Sequence, residues 1–343
     1  MAILPRSTST DDGELAPLTR YAAFLIRRLM QACIIVVGIV CVNFVVVHLA
    51  PGNLAEVMAG QGGGADAGYI AALKERFGLD QSLWVQFGRY VWNLLQFDLG
   101  YSFRESMPVS VLIADKLAAT LILMVSSLAI AFMLGVSLGM LAAMRPNAIS
   151  DVVISLLALI GYATPLFWLG LLLILLFTVK LGWLPSGGMR TIGVPSTGLA
   201  GILDIARHAI LPVVTLTVFY MAVFIRLMRA SVLNVASLDF VKTAYAKGMS
   251  FRQVYAHHVL GNALLPMVTM LGVNVGGILG GSVVVETVFG WPGLGRLTFD
   301  AIFSRDINLL LGILFFSSLL VVVTNLVTDL VSAWIDPRIE VSK

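Results

Sequence analysis

Residues 238–266 read LDFVKTAYAKGMSFRQVYAHHVLGNALLP, a polar, helix-forming insert between two segments that are almost purely apolar. Its local signals spell two short helices separated by a bend. Asp239 suits the N-cap of a helix over 240–247, Lys247 sits in the last turn where a cation complements the helix dipole, and Gly248 is the expected left-handed residue after the end. Ser250 then opens a second helix, and Gln253 three positions on completes a capping box. Pro266 suits the first turn of the next apolar segment. The chain therefore leaves one hydrophobic segment, runs helix, glycine bend, helix, and enters another.

Two readings of this insert stand side by side. It is either a solvated loop between membrane helices, or a device that touches another protein. The first helix places Phe240, Val241, Ala244 and Tyr245 on one side, beside a basic edge of Lys242, Lys247 and Arg252, with Asp239 and Thr243 completing it. A one-sided apolar helix in an aqueous loop needs a groove to lie in.

Composition puts the rest of the chain in lipid. Of 343 residues, 59% are hydrophobic and only 12% charged, and the mean hydropathy is +0.95, outside the range of soluble globular domains. The net charge of +3 does not point to nucleic acid. Cys33 and Cys41 lie eight residues apart in one apolar run, too far along a helix to bond, and read as small buried hydrophobes.

In order, residues 1–20 are a polar tail, and a first apolar run over 21–50 is entered by Arg27 and Arg28 and closed by Pro51. Its core is longer than a signal-peptide h-region, so it is read as a retained helix. Residues 51–113 are mixed in character and read as a small extracytoplasmic subdomain. Within it Trp84, Phe87, Tyr90 and Trp92 suit either a membrane interface or ordinary packing. Five further apolar runs, 118–143, 152–179, 209–227, 264–288 and 309–331, are each long enough for about 30 Å of hydrocarbon. Basic residues near the run ends, including Arg20, Arg145, Arg226, Arg229, Lys242, Lys247, Arg252 and Arg338, predict both termini and the 228–263 loop to be cytoplasmic.

Inside the spans Gly272, Gly276 and Gly280 recur every four residues, and Gly135 and Gly139 form a second pair, the spacing that lets membrane helices approach closely. Pro165 should kink the third span. Asn43, Asn274 and Asn325 are polar groups suited to bonds between helices. Glu286 is the one acid near the body of a span, close to the outer end, where a hydrogen-bonding or gating role fits better than proton coupling. No Gly-Lys pair exists to form a phosphate-binding loop, so no ATP is expected on this chain. His257 and His258 are adjacent and point apart on a helix, and His48 and His208 are isolated, so no metal site and no catalytic cluster are expected.

The insert resembles the cytoplasmic loop of the permease subunits of bacterial ABC importers, whose signature is E-A-A-x-x-x-G followed by I-x-L-P. Here the first part reads Lys242, Thr243, Ala244, then Gly248; the second falls on His258, Val259, Leu260 and Gly261, with the proline displaced to Pro266. These departures match the dipeptide, oligopeptide and nickel branch. Leu49-Ala50-Pro51-Gly52, Arg76-Phe77-Gly78-Leu79-Asp80, Asp98-Leu99-Gly100-Tyr101-Ser102, the stretch from Glu286 to Gly295 and Asp336-Pro337-Arg338 are similar to that branch too, so the resemblance runs from about residue 22 to the end.

It implies an all-α membrane protein with six transmembrane helices and the type I importer permease fold. The permease domain would cover 114–333, with a coupling loop at 228–263 and a cytoplasmic tail at 334–343. It further implies the first of two homologous permease subunits, two ATP-binding subunits carrying ATP and Mg, an extracytoplasmic substrate-binding protein, a lipid environment in the bacterial inner membrane, and a di- or oligopeptide substrate. The alternative within the resemblance is the same machinery for nickel, opines or sugars. An ion-coupled secondary transporter would need buried ionisable groups in two repeated halves, and a membrane-embedded enzyme would need a cluster of His, Asp or Glu within the spans; the spans are nearly charge-free.

Overall fold

The computed structural model describes residues 12–49, 80–193, 198–276 and 283–335. Long apolar helices dominate because hydrocarbon offers no partner for a free backbone amide, so every span must satisfy its own. The first, α1, runs Asp12–Leu49. A 13-residue helix α2, Leu83–Leu95, leads to a two-stranded hairpin of β1, Tyr101–Ser102, and β2, Met107–Pro108, paired antiparallel with Tyr101 opposite Pro108. Residues 51–79 lie outside the described residues, so the subdomain expected over 51–113 is described only in its second half.

The apolar runs become helices that outlast them. The run at 118–143 lies within α3, Val109–Met144, and that at 209–227 within α6, Gly198–Ala236, with Pro212 inside. At 1.5 Å per residue a 39-residue helix is about 58 Å long, roughly twice the hydrocarbon thickness. Hydropathy marks the membrane-embedded part only, and helical backbone continues past it. The 152–179 run is two helices, α4 at Ile149–Ala163 and α5 at Leu166–Lys180, bent by 101°. Thr164 before Pro165 takes the extended backbone that a following proline demands. The last turns of α5, Ile174–Lys180, are wound as a π-helix.

Beyond the polar insert, α7 spans Asp239–Ala246 and α8 spans Phe251–Gly276. Residues 277–282 are outside the described residues. Then come α9, Val283–Val288, α10, Leu294–Ser304, and α11, Ile307–Ile335. Among the described residues five helices are long and apolar enough to cross a membrane, and six spans result if α4 and α5 form one bent span.

Packing uses the small residues. A Cβ on Gly135 would run into Cβ of Phe224, and one on Gly139 would sit 2.7 Å from the carbonyl oxygen of Ile225, so α3 and α6 meet nearly backbone to backbone. Phe132 and Phe224 meet edge to face beside them, with ring centres 5.5 Å apart. A Cβ on Gly272 would overlap the Thr328 side chain and one on Gly276 would sit 2.9 Å from Asn325 Oδ1, so α8 is seated closely on α11. Lipid chains are as apolar as the side chains, so close van der Waals contact, not exclusion of water, holds these pairs. Asn274 bonds back to the Met270 carbonyl of its own helix at 2.8 Å.

Candidate functional site

The insert at 238–266 folds as its local signals predict, with three corrections. The N-cap of α7 is Leu238, not Asp239, and no side chain caps that end. Asp239 is instead the first helical residue, where its carboxylate favours the dipole and pairs with Lys242 Nζ at 2.8 Å. Pro266 is inside α8, not at its first turn, because the helix begins earlier, at Phe251, and runs through a π-helical turn at Tyr255–Val259. The non-helical part of the expected 228–263 loop therefore shrinks to two short breaks, at 237–238 and 247–250.

The second break is a complete Schellman motif. Gly248 takes φ +82°; its N–H donates to the Tyr245 carbonyl at 2.9 Å, and the Met249 N–H donates to the Ala244 carbonyl at 3.3 Å. Ser250 follows with its box, where Gln253 Oε1 accepts from the Ser250 N–H at 3.0 Å and from its hydroxyl at 2.9 Å. Each end of the bend is closed by its own hydrogen bonds, so α7, the turn and α8 form one stiff elbow.

The apolar side of α7 splits in two, which is the third correction. Val241 and Ala244 are buried, at 1% and 4% exposure, in the same core as Val254 and Val259. The groove that this stripe needs belongs to the chain itself. Phe240 and Tyr245 flank the stripe and stay about two-fifths exposed. Leu238 and Phe251, which the amphipathic pattern does not single out, are exposed beside them, and Lys242, Thr243, Lys247 and Arg252 are exposed as well. Four large apolar side chains thus stay exposed around the elbow, interspersed with basic residues, a mix found at protein-docking surfaces.

Two buried charges tie the spans together. Arg229, near the end of α6, holds Asp151 at the start of α4 with two parallel bonds, Nε to Oδ1 at 2.6 Å and an Nη2 bond to Oδ2 at 2.8 Å. Asp151 also accepts from the Asn147 N–H at 2.9 Å and the Ser155 hydroxyl at 3.3 Å. Sequence offered no pairing signal across the 78 residues between them.

At the other end the Glu286 side chain is fully buried within the protein. It accepts from the Thr120 hydroxyl at 2.8 Å and from the Arg296 N–H at 2.9 Å. Thr120 in turn accepts from the Leu294 N–H at 2.7 Å, and Trp291 Nε1 donates to the Ala119 carbonyl at 2.8 Å. Gly293 has no room for a side chain because the Glu286 carboxylate occupies it. The turn at 289–293 is therefore fastened onto α3. Of the glycine series, Gly272 and Gly276 pack on α11, and Gly280 lies outside the described residues.

Comparison with known proteins covers nearly the whole chain. The profile described as "Binding-protein-dependent transport system inner membrane component" matches residues 135–341, and its N-terminal companion matches residues 21–124. The oligopeptide transport system permease protein AppB of Bacillus subtilis is 39% identical over 324 residues, covering 93% of this chain and 99% of that protein. The dipeptide transport system permease protein DppB of Escherichia coli is 35% identical over 337 residues, with the same coverage. Among solved structures, the inward-facing MetNI methionine ABC transporter superposes with a TM-score of 0.52 at 19% identity, over 66% of this chain and 96% of that one. That likeness is one of fold, and it bears out the type I importer permease architecture.

Proposed function

The chain belongs to the family of binding-protein-dependent transport system inner membrane components, and on that premise we propose that it is the first of two homologous permease subunits of a di- or oligopeptide importer. It is a multi-pass inner-membrane protein, and permease subunits of this family are non-catalytic, ATP hydrolysis being done by separate ATP-binding subunits. The observation that carries the peptide reading is the likeness to dipeptide and oligopeptide permeases across 93% of the chain.

In this reading both termini and the 238–266 insert face the cytoplasm, and a substrate-binding protein delivers peptide at the opposite surface. ATP and Mg sit on the two partner ATPases, and this chain holds no cofactor. The exposed patch of Leu238, Phe240, Tyr245 and Phe251 enters a groove of an ATPase, and the basic rim sets its orientation. Closure of the ATPase pair displaces α7. Because Val241 and Ala244 are packed into the core and the Gly248 bend is closed by hydrogen bonds, the displacement passes to α6 and α8 and is not absorbed in the loop. The π-helical turn at Tyr255–Val259 is the segment of α8 best suited to take up strain on the way.

Affinity purification of the tagged chain with its genomic neighbours, followed by ATP-driven uptake of labelled dipeptide into vesicles, tests this reading. ATPase subunits should co-purify, and uptake should need both ATP and the binding protein. Uptake of nickel, a sugar or an opine but of no peptide would overturn the substrate, and transport without any ATPase would overturn the importer.

A further inference from the structure

We propose that α2 is a membrane-inserted interfacial helix whose Trp84, Val85, Trp92 and Leu95 lie in phospholipid, at the leaflet adjoining the His48 end of α1. At 3.6 residues per turn the helix divides into three sectors. Phe87, Tyr90, Val91 and Leu94 face inward, toward α1 and α11. Phe44 of α1 meets the Phe87 ring edge-on at 5.1 Å and the Tyr90 ring at 6.0 Å. Arg89 and Asn93 form a polar sector. Between the two, Trp84 is 84% exposed, Val85 43%, Trp92 61% and Leu95 70%. Four large apolar side chains turned away from the protein, beside a polar edge, have the make-up of a helix that lies in a lipid surface.

The depth of the helix argues for the same occupant. Gln86 near its start bonds His48 Nε2 at 3.0 Å, beside the end of α1. Leu94 near its end shares a buried cluster with Val40 of α1 and Phe315 of α11. Val40 is eight residues from His48, and Phe315 eight from Ile307, so each lies about 12 Å along its helix from that end. The far end of α2 is therefore level with the body of two spans, inside a hydrocarbon layer about 30 Å thick. Val42 and Val45 of α1 are exposed at that level too, 61% and 50%, so the apolar sector of α2 continues a lipid-facing surface. Tryptophan is the residue favoured at such a boundary.

Beyond α2 the hairpin is fastened by the Ser102 hydroxyl to Asp306 of the segment entering α11. An anchored α2 thus holds the hairpin and the start of α11 at a fixed height in the bilayer.

The test uses the full chain in its assembled complex, in phosphatidylethanolamine–phosphatidylglycerol vesicles. Cys33→Ala and Cys41→Ala first remove the native thiols. Trp92→Cys and Arg89→Cys then carry an environment-sensitive fluorophore in separate samples, with Leu95→Cys as a second reporter should Trp92→Cys fail to assemble. Label at 92 or 95 should emit to the blue and lose most of its fluorescence to lipids bearing a nitroxide on the acyl chain; label at 89 should be quenched by aqueous iodide instead. Iodide quenching at 92 or 95 equal to that at 89 would place α2 in water. Shielding from both quenchers would mean that protein, whether residues 50–79 or a partner, covers the face. Either result overturns the proposal.

Discussion

Arg229 grips Asp151 through both carboxylate oxygens, at 2.6 and 2.8 Å, clamping the start of α4 to α6 ten residues before α7 begins at Asp239. The Asp151 side chain is 4% exposed and that of Arg229 31%, so the pair is only partly screened. Removing one partner leaves the other as a poorly solvated charge, which costs about 2–4 kcal/mol once the exposure of the arginine is allowed for. Asp151→Asn and Arg229→Met should each lower the melting temperature of the purified complex. Arg229→Lys should recover little, because a lysine cannot make two parallel bonds. The double variant should lose less than the two single losses combined, read by thermal unfolding of all three.

Glu286 and Gly293 test the opposite end. The carboxylate receives two donors, the Thr120 hydroxyl and the Arg296 N–H, so Glu286→Gln can keep its oxygen on the N–H only by donating its NH2 to Thr120, exchanging charge-assisted bonds for neutral ones at about 1 kcal/mol. Gly293→Ala drives a methyl group onto the same carboxylate, an overpacking of about 1–3 kcal/mol. Both should destabilise the complex while leaving ATPase subunits attached, because the network is remote from the insert. Loss of ATPase co-purification with a normal melting temperature would show that Glu286 does something other than fasten the turn.

How much of this was legible in sequence differs by feature, for physical reasons. The spans were plain, since an uninterrupted apolar run has one cheap environment, and the bend at Pro165 followed from the backbone of proline. Helix ends were not, because α6 keeps its hydrogen bonds long after its side chains turn polar. The break at Gly248 was readable from the glycine and the Ser250–Gln253 pair, both local. The amphipathic stripe of α7 said that Val241 and Ala244 require cover, but a stripe carries no record of whose groove supplies it. Asp151 with Arg229, and Glu286 with Thr120 across 166 residues, are pairings of tertiary structure with no short-range trace.

Gly248 isolates a purely conformational requirement. Its φ is +82°, and a Cβ there would meet nothing within 4 Å. Substitutions should therefore follow backbone preference and not size. Gly248→Asn should retain most of the peptide-stimulated ATPase activity, Gly248→Ala should cost about 1–2 kcal/mol in stability of the elbow, and Gly248→Val should be the worst of the three despite the open space. Parallel ATPase and thermal-unfolding measurements on the series check this; an order that tracks side-chain volume in place of left-handed propensity would contradict it.

The split face of α7 makes the sharpest contrast. Tyr245 is 41% exposed and Val241 is 1% exposed, four residues apart on one helix. A carboxylate at 245 faces solvent in the isolated chain and, in the proposed docking, meets the ATPase only on assembly, so Tyr245→Asp should leave folding and membrane insertion intact while abolishing ATPase co-purification. A carboxylate at 241 would be buried without a partner among Val254 and Val259, a cost of several kcal/mol that the loop cannot bear locally. Val241→Asp should therefore lower the melting temperature of the chain even without ATPase present. Val241→Ala, which only shortens the side chain, should weaken the elbow by about 1–2 kcal/mol and leave the docking patch in place. If Tyr245→Asp and Val241→Asp instead behave alike, with both chains stable alone and both blind to the ATPase, then both residues meet the partner directly and the inward packing of Val241 does not persist in the complex.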